Sequence, residues 1–146
     1  MITLFEFSKN ISNLNKEEKY QDALRYFKEN KPFFSIEQIG KNVYIISDIF
    51  KALRKTDNFN NAFKFLDFYN IKINENTIER VLTSYGWLLY SKFKADNNDN
   101  SNGQEITEDS FEDEHPVDGK NYDINKSEIV GRIESCILLY PTKIWG

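Results

Sequence analysis

Along the front of the chain, apolar residues recur at i, i+3, i+4 and i+7, the spacing of one face of a helix. Tyr20, Ala23, Leu24 and Phe27 carry it between Lys16 and Glu29. Pro32 follows shortly after Asn30 and ends that helix, because proline lacks an N–H and clashes with the preceding turn. Ile46, Ile49, Phe50 and Leu53 carry the spacing between Val43 and Lys55, and Phe59, Ala62, Phe63 and Leu66 between Asn58 and Tyr69. Ile78, Leu82, Tyr85, Leu89 and Phe93 carry it between Glu75 and Lys94. There, Asn76 and Glu79 make a capping-box start signal, with Asn in place of Ser or Thr. Ser8 to Leu14 supplies one more helix. The connections Thr56-Asp57 and Lys72-Ile73-Asn74 are short, which sets successive helices antiparallel.

The pattern changes twice further on. Asp96 to Asp123 holds ten acidic residues against the single Lys120, with only scattered apolar positions such as Ile106 and Phe111. Such a stretch cannot bury enough surface to offset an ordering entropy of ~1–2 kcal/mol per residue. It reads as a solvated, self-repelling, disordered linker. From Ser127 to Pro141 apolar residues return. Ile129, Gly131, Ile133, Ser135, Ile137 and Leu139 share one side of a strand, and β-branched content, Gly131 and Pro141 favour that reading. A helix with Ile129, Ile133, Cys136, Ile137 and Tyr140 inward is the alternative. Three parts are therefore expected: a helical repeat-like domain over 1–95, an acidic linker over 96–123, and an apolar segment over 124–146.

Charge follows this division. Residues 1–95 carry 15 Lys/Arg and 11 Asp/Glu, net +4, and residues 96–146 carry 4 and 12, net -8, which together give the overall -4. The length of 146 residues suits one domain with a tail. One Cys and one His exclude a disulfide framework, cysteine-rich zinc modules and sites needing two imidazoles. The apolar run Cys136–Tyr140 is far too short for a bilayer span, and the N-terminus shows no basic signal region. A cytoplasmic protein with no membrane contact is expected. The abundance of Asn, Ile, Lys, Phe and Tyr fits an A/T-rich coding sequence.

The search for chemistry returns little. Asn98, Asn100, Asn102, Gly103 and Asp109 echo a calcium loop, but the first position is not Asp and the twelfth is not Glu. Cys136 and His115 are the one nucleophile–base combination, and His115 lies in the acidic stretch with nothing to place it. Glu112, Asp113 and Glu114 have no scaffold to separate their pKa values. No glycine-rich phosphate loop occurs. The expectation is a non-enzyme with no cofactor and no metal.

The helices repeat. Ile46-x2-Ile49-Phe50-x2-Leu53 and Ala62-x3-Leu66 fill the slots of a tetratricopeptide unit, in which a first helix carries large, Leu, Gly and Tyr positions and a second carries Ala-x3-Phe. Thirty-six residues on, Leu82-x2-Tyr85-Gly86-x2-Leu89 reads the same way, and thirty-nine residues back Tyr20-x2-Ala23-x3-Phe27 matches a second helix. Phe50 departs from the small residue of the pattern, and Asn74 from its Pro. The front resembles a tetratricopeptide-like array of about two and a half units. The fold class is thus all-α, antiparallel helical hairpins with an acidic linker and a short C-terminal strand; another helical bundle is the rival. Each hairpin needs neighbours to bury its apolar face, so Leu88, Leu89 and Phe93 must be covered by the C-terminal segment, another chain or further sequence. An uncovered face would favour a homo-oligomer.

What the resemblance implies is a concave face built from first helices. It would show Tyr44, Ser47, Lys51, Arg54 and Lys55, then Arg80, Thr83, Trp87 and Tyr90, a basic and aromatic groove of the kind that binds peptides or partner proteins. The expected function is an interaction or scaffold module. The groove's acidic target would be a foreign peptide, a nucleic-acid phosphate, or the chain's own Glu105 to Glu114. A second resemblance concerns residues 131–146: Gly131-Arg132-Ile133 with Trp145-Gly146 loosely resembles the opening of a cold-shock-like OB barrel. That resemblance implies nucleic-acid binding and supports the alternative of an accessory protein in a prokaryotic defence or conflict system.

Overall fold

Two successive hairpins are built to one plan. The computed structural model describes residues 2–98 and 126–139. The first hairpin pairs α1 (Leu4–Lys16) with α2 (Tyr20–Asn30). After a 3-10 turn at Lys31–Phe33 and the short α3 (Ile36–Gly40), α4 (Val43–Lys55) pairs with α5 (Phe59–Phe68). The helices α6 (Glu79–Asn98) and α7 (Lys126–Leu139) follow. Both α1 and α4 have 13 residues, and both hairpins start their two helices thirty-nine residues apart in register.

The turns match as well. Glu18 and Asp57 sit in the left-handed region at φ 61° and 60°. The Lys19 N–H donates to the Leu14 carbonyl, and the Asn58 N–H to the Leu53 carbonyl, each at 2.9 Å. These bonds close the helix C-terminus and aim the chain back along it. Asn70, at φ 55°, repeats the device after α5, with the Ile71 N–H on the Leu66 carbonyl. The starts are capped locally. Thr3 and Glu6 form a reciprocal capping box on α1, Ser35 and Gln38 form one on α3, and the Asn42 side chain accepts the Ile45 N–H on α4.

The first helices lie in a row. α4 is its middle member and packs against α1, α2, α3, α5 and α6, while α6 also packs against α7. Ile45, Ile46, Ile49, Phe50, Ala52 and Leu53 of α4 are buried. A chain of rings crosses the row: Phe7 to Phe27 at 5.7 Å, Phe27 to Phe65 at 5.9 Å, Phe65 to Phe50 at 5.8 Å and Phe50 to Tyr85 at 5.4 Å. Each such pair contributes about 0.5–1.5 kcal/mol beyond its burial. At the end of α3, a Cβ on Gly40 would come within 2.7 Å of the Tyr69 carbonyl oxygen, so glycine lets α3 close onto the end of α5.

Four expectations need correction. The helix expected to run from Lys16 is interrupted at residues 17–19, where Glu18 turns the chain and α2 starts only at Tyr20. The helix expected from Glu75 begins at Glu79. The Asn74 side chain accepts the Asn76 N–H and the Thr77 hydroxyl accepts the Asn74 N–H, both at 2.8 Å. These bonds build a turn in place of the capping box. The C-terminal strand is the helix α7, and among the described residues there is no strand at all. The OB resemblance therefore lacks its opening strand at residues 131–139, and residues 140–146 lie outside the described part. Most of the acidic stretch, from residue 99, lies outside it too, as do His115 and most of the calcium-like motif; Asp96 to Asn98 complete α6.

α7 supplies the missing cover. Ile129 and Cys136 are buried, and Leu88 and Leu89 of α6 are fully enclosed. The Arg132 guanidinium donates to the Tyr85 hydroxyl at 2.8 Å, lies 5.0 Å from the centre of the Phe63 ring, and pairs with Glu128 at 3.1 Å. The uncovered face that argued for self-association is closed within the chain. Among the described residues no helix is long and apolar enough to cross a membrane.

Candidate partner-binding groove

Side-by-side first helices leave furrows between them, and two of these open into hollows. One, of about 590 Å3, lies between α1 and α4 and is lined by Phe5, Ser8, Lys9, Ser12, Lys16, Tyr44 and Asp48 among others. The other, of about 550 Å3, lies between α4 and α6 and is lined by Ser47, Asp48, Lys51, Ile78, Glu79, Arg80, Thr83 and Ser84. Asp48 belongs to both, so the two hollows meet over α4.

The structure brings together four of the expected residues, Ser47, Lys51, Arg80 and Thr83, around the second hollow. Tyr44 lines the first hollow and is joined to the second by Arg80, whose guanidinium lies 4.9 Å from the centre of the Tyr44 ring. The same Arg80 donates to the Ser47 hydroxyl at 2.6 Å and faces the Asp48 carboxylate at 3.6 Å. Trp87 and Tyr90 continue the exposed stripe along α6, with rings 6.0 Å apart in an edge-to-face pair and Lys94 5.5 Å from the Tyr90 ring centre. They line neither hollow.

Arg54 and Lys55 stand apart. Neither lines a hollow. Arg54 is half-buried; burial lowers its guanidinium pKa, opposed by Tyr20, and its Nε has no hydrogen-bond partner. Lys55 is exposed at the end of α4.

The α1 wall was not foreseen, although the repeat offset could have found it. Moving back thirty-nine residues takes Tyr44 to Phe5, Ser47 to Ser8 and Lys51 to Ser12, and all three equivalents line the first hollow. Asp48 was missed for another reason, since an acid among apolar helix positions carries no spacing signal. It is 6% exposed, and its Oδ2 has no hydrogen-bond partner. Burial raises its carboxyl above the ordinary carboxylate value, against the pull of Arg80, the Asn15 amide, Lys51 and Lys16. The Asn15 side chain also donates to the Asp48 carbonyl at 2.9 Å, tying α1 to α4 beneath the groove.

Groups that could do chemistry are sparse. Among the described residues no cluster of three or more His, Cys, Asp or Glu could hold a metal ion. Burial pushes the Cys136 thiol up to about 11, which holds it in the poorly nucleophilic protonated form. What the groove offers is shape, hydroxyls, exposed rings and cations. The chain matches no family model, no curated protein and no solved structure.

Proposed function

We propose that this chain is a non-enzymatic, tetratricopeptide-like interaction module that holds a peptide or partner protein along the groove across α1, α4 and α6. The observation that carries this reading is the pair of hollows meeting over α4, with Tyr44 58% exposed at their junction and Trp87 and Tyr90 exposed beyond. Exposed large rings beside concave, cation-lined walls are the composition of binding surfaces rather than of ordinary solvated faces. The identical turns and the thirty-nine-residue register of the first two hairpins support the tetratricopeptide likeness.

A peptide array probed with the full chain tests the reading. Tyr44→Ala and Trp87→Ala should each weaken the best peptides about tenfold or more, as loss of an aromatic anchor does. Unchanged binding in both would refute the groove as the site.

A nucleic-acid accessory role, in a prokaryotic defence system, is the second reading. It is favoured by Lys9 and Lys16 beside the exposed Phe5 and Tyr44 rings, since cations and stacking faces together suit single strands. A salt titration with single-stranded RNA separates the two, because phosphate binding weakens steeply as salt rises.

A further inference from the structure

The charges on the groove walls narrow the chemistry of the ligand; this step rests on the groove being a peptide site. Lys9 and Lys16 stand exposed on the first hollow, and Lys51 is half-exposed on the second. None of the three has an ion-pair partner among the described residues. Arg80 is already engaged by Ser47, Asp48 and Tyr44. Between the two sets of cations lies Asp48, buried on the floor common to both hollows, with one carboxylate oxygen lacking any donor. From α1 to α6 the charges run Lys9 and Lys16, then Asp48 with Lys51 on α4, then Arg80 with Glu79, two more cations than acids in all.

We propose that the partner is an extended acidic segment of another protein whose carboxylates fall in two groups, one for each hollow, separated by an uncharged residue where the segment crosses Asp48. A carboxylate placed over Asp48 would meet a like charge in a poorly solvated site, which is strongly unfavourable. Carboxylates to either side would find Lys9 and Lys16 in the first hollow, or Lys51 in the second, where Glu79 on the α6 wall is the acid to be avoided. Asp48 is then a specificity residue that sets the spacing of the ligand's charges. The chain's own acidic run is the rival occupant. It begins at Asp96, on the far end of α6 from Arg80, about 24 Å along the axis at 1.5 Å per residue, and Asp96 is itself paired with Lys92 at 3.1 Å.

The test uses the full chain and fluorescent, N-acetylated, C-amidated peptides of equal composition, read by anisotropy. In one set the Glu residues form two groups around a neutral gap of one to three residues; in another they run unbroken; in a third Gln replaces them. The split set should bind about three- to tenfold tighter than the unbroken set, and Asp48→Asn, which keeps the side-chain shape, should erase that difference by strengthening the unbroken set. Lys9→Gln, Lys16→Gln and Lys51→Gln should each weaken the split set about two- to fivefold, which tests both hollows even if Asp48→Asn fails to fold.

Equal binding of split and unbroken peptides overturns the role of Asp48 and leaves the peptide reading standing. So does binding of the Gln set at the same strength, which overturns an acidic ligand. No binding by any set overturns the peptide reading with it. A chain carrying Glu108→Gln, Asp109→Asn, Glu112→Gln and Asp113→Asn should bind the split set as the unaltered chain does. Binding more than tenfold tighter would show that the chain's own acid fills the groove, and would overturn the partner.

Discussion

The first and second hairpins share helix length, register and turn, yet α4 buries eight of its residues and α1 only three. The local code is the same: a cap, a helical apolar spacing and a left-handed residue to reverse the chain. The difference comes from neighbours. α1 packs on α2 and α4, whereas α4 has partners on nearly every side. Sequence thus dictates the unit, and place in the row dictates how much of each unit is hidden. The same contrast explains the groove. α1 is free to show Phe5, Lys9 and Lys16 to the groove, while α4 turns only Tyr44, Ser47, Lys51 and the edge of Asp48 toward it.

The largest test of that contrast is in the core. Phe50→Ala, at the middle of the row, should cost about 3–5 kcal/mol, and Ile11→Ala, at its edge, about 2–3 kcal/mol, as measured by denaturant unfolding. Equal losses would mean that α1 and α4 are equally embedded. Caps should behave differently, because they are local. Thr3→Ala and Asn42→Ala should each cost about 1 kcal/mol, and the two values should agree within experimental scatter.

Titration sharpens the comparison between the exposed and hidden carboxylates. Asp48 is raised by burial, so the folded chain holds its proton more tightly than the unfolded chain does. Its contribution therefore favours folding at pH below the ordinary value of 3.8, and is lost as pH rises from there through the raised folded value. Asp48→Asn should remove that loss, so that stability rises more steeply with pH through this window and falls more steeply on acidification than in the unaltered chain; an unchanged profile would show that Asp48 does not titrate abnormally. The smallest effect is at the turns. Glu18→Gly should stabilise by about 0.5 kcal/mol, since Gly accepts positive φ without a Cβ penalty. Asp57→Gly should change stability by less, because Asp tolerates that conformation better. Thermal unfolding distinguishes the two.

Much of this was legible from residue spacing. The extent of α4 between Val43 and Lys55 follows from the Ile46, Ile49, Phe50 and Leu53 face, and the all-helical hairpin class follows from the short turns. The start of α1 is written in the Thr3 and Glu6 box, and that of α3 in the Ser35 and Gln38 box, but α3 is only five residues long and too short for a spacing to show. α7 was misread because isoleucines two apart suit either period, and strand propensity is a weak guide where packing decides. Its helical nature was signalled by Glu128 and Arg132, four residues apart. In the groove, the α4 and α6 residues came from the repeat. Arg54 did not belong with them, because its Nε is buried and it lines neither hollow. Asp48 could not be found from sequence, since its significance lies in which helices hide it.

Arg132 acts as a key for the docking of α7. It meets the Tyr85 hydroxyl and the Phe63 ring at once, so it reads α6 and α5 together. Sliding α7 by one turn would bring Glu128 or Cys136 to that place. A carboxylate is repelled by the electron-rich face of a ring, and a thiol cannot reach both groups. One cation thus rejects the nearest wrong alignments, and the last helix finds a single seat on the array.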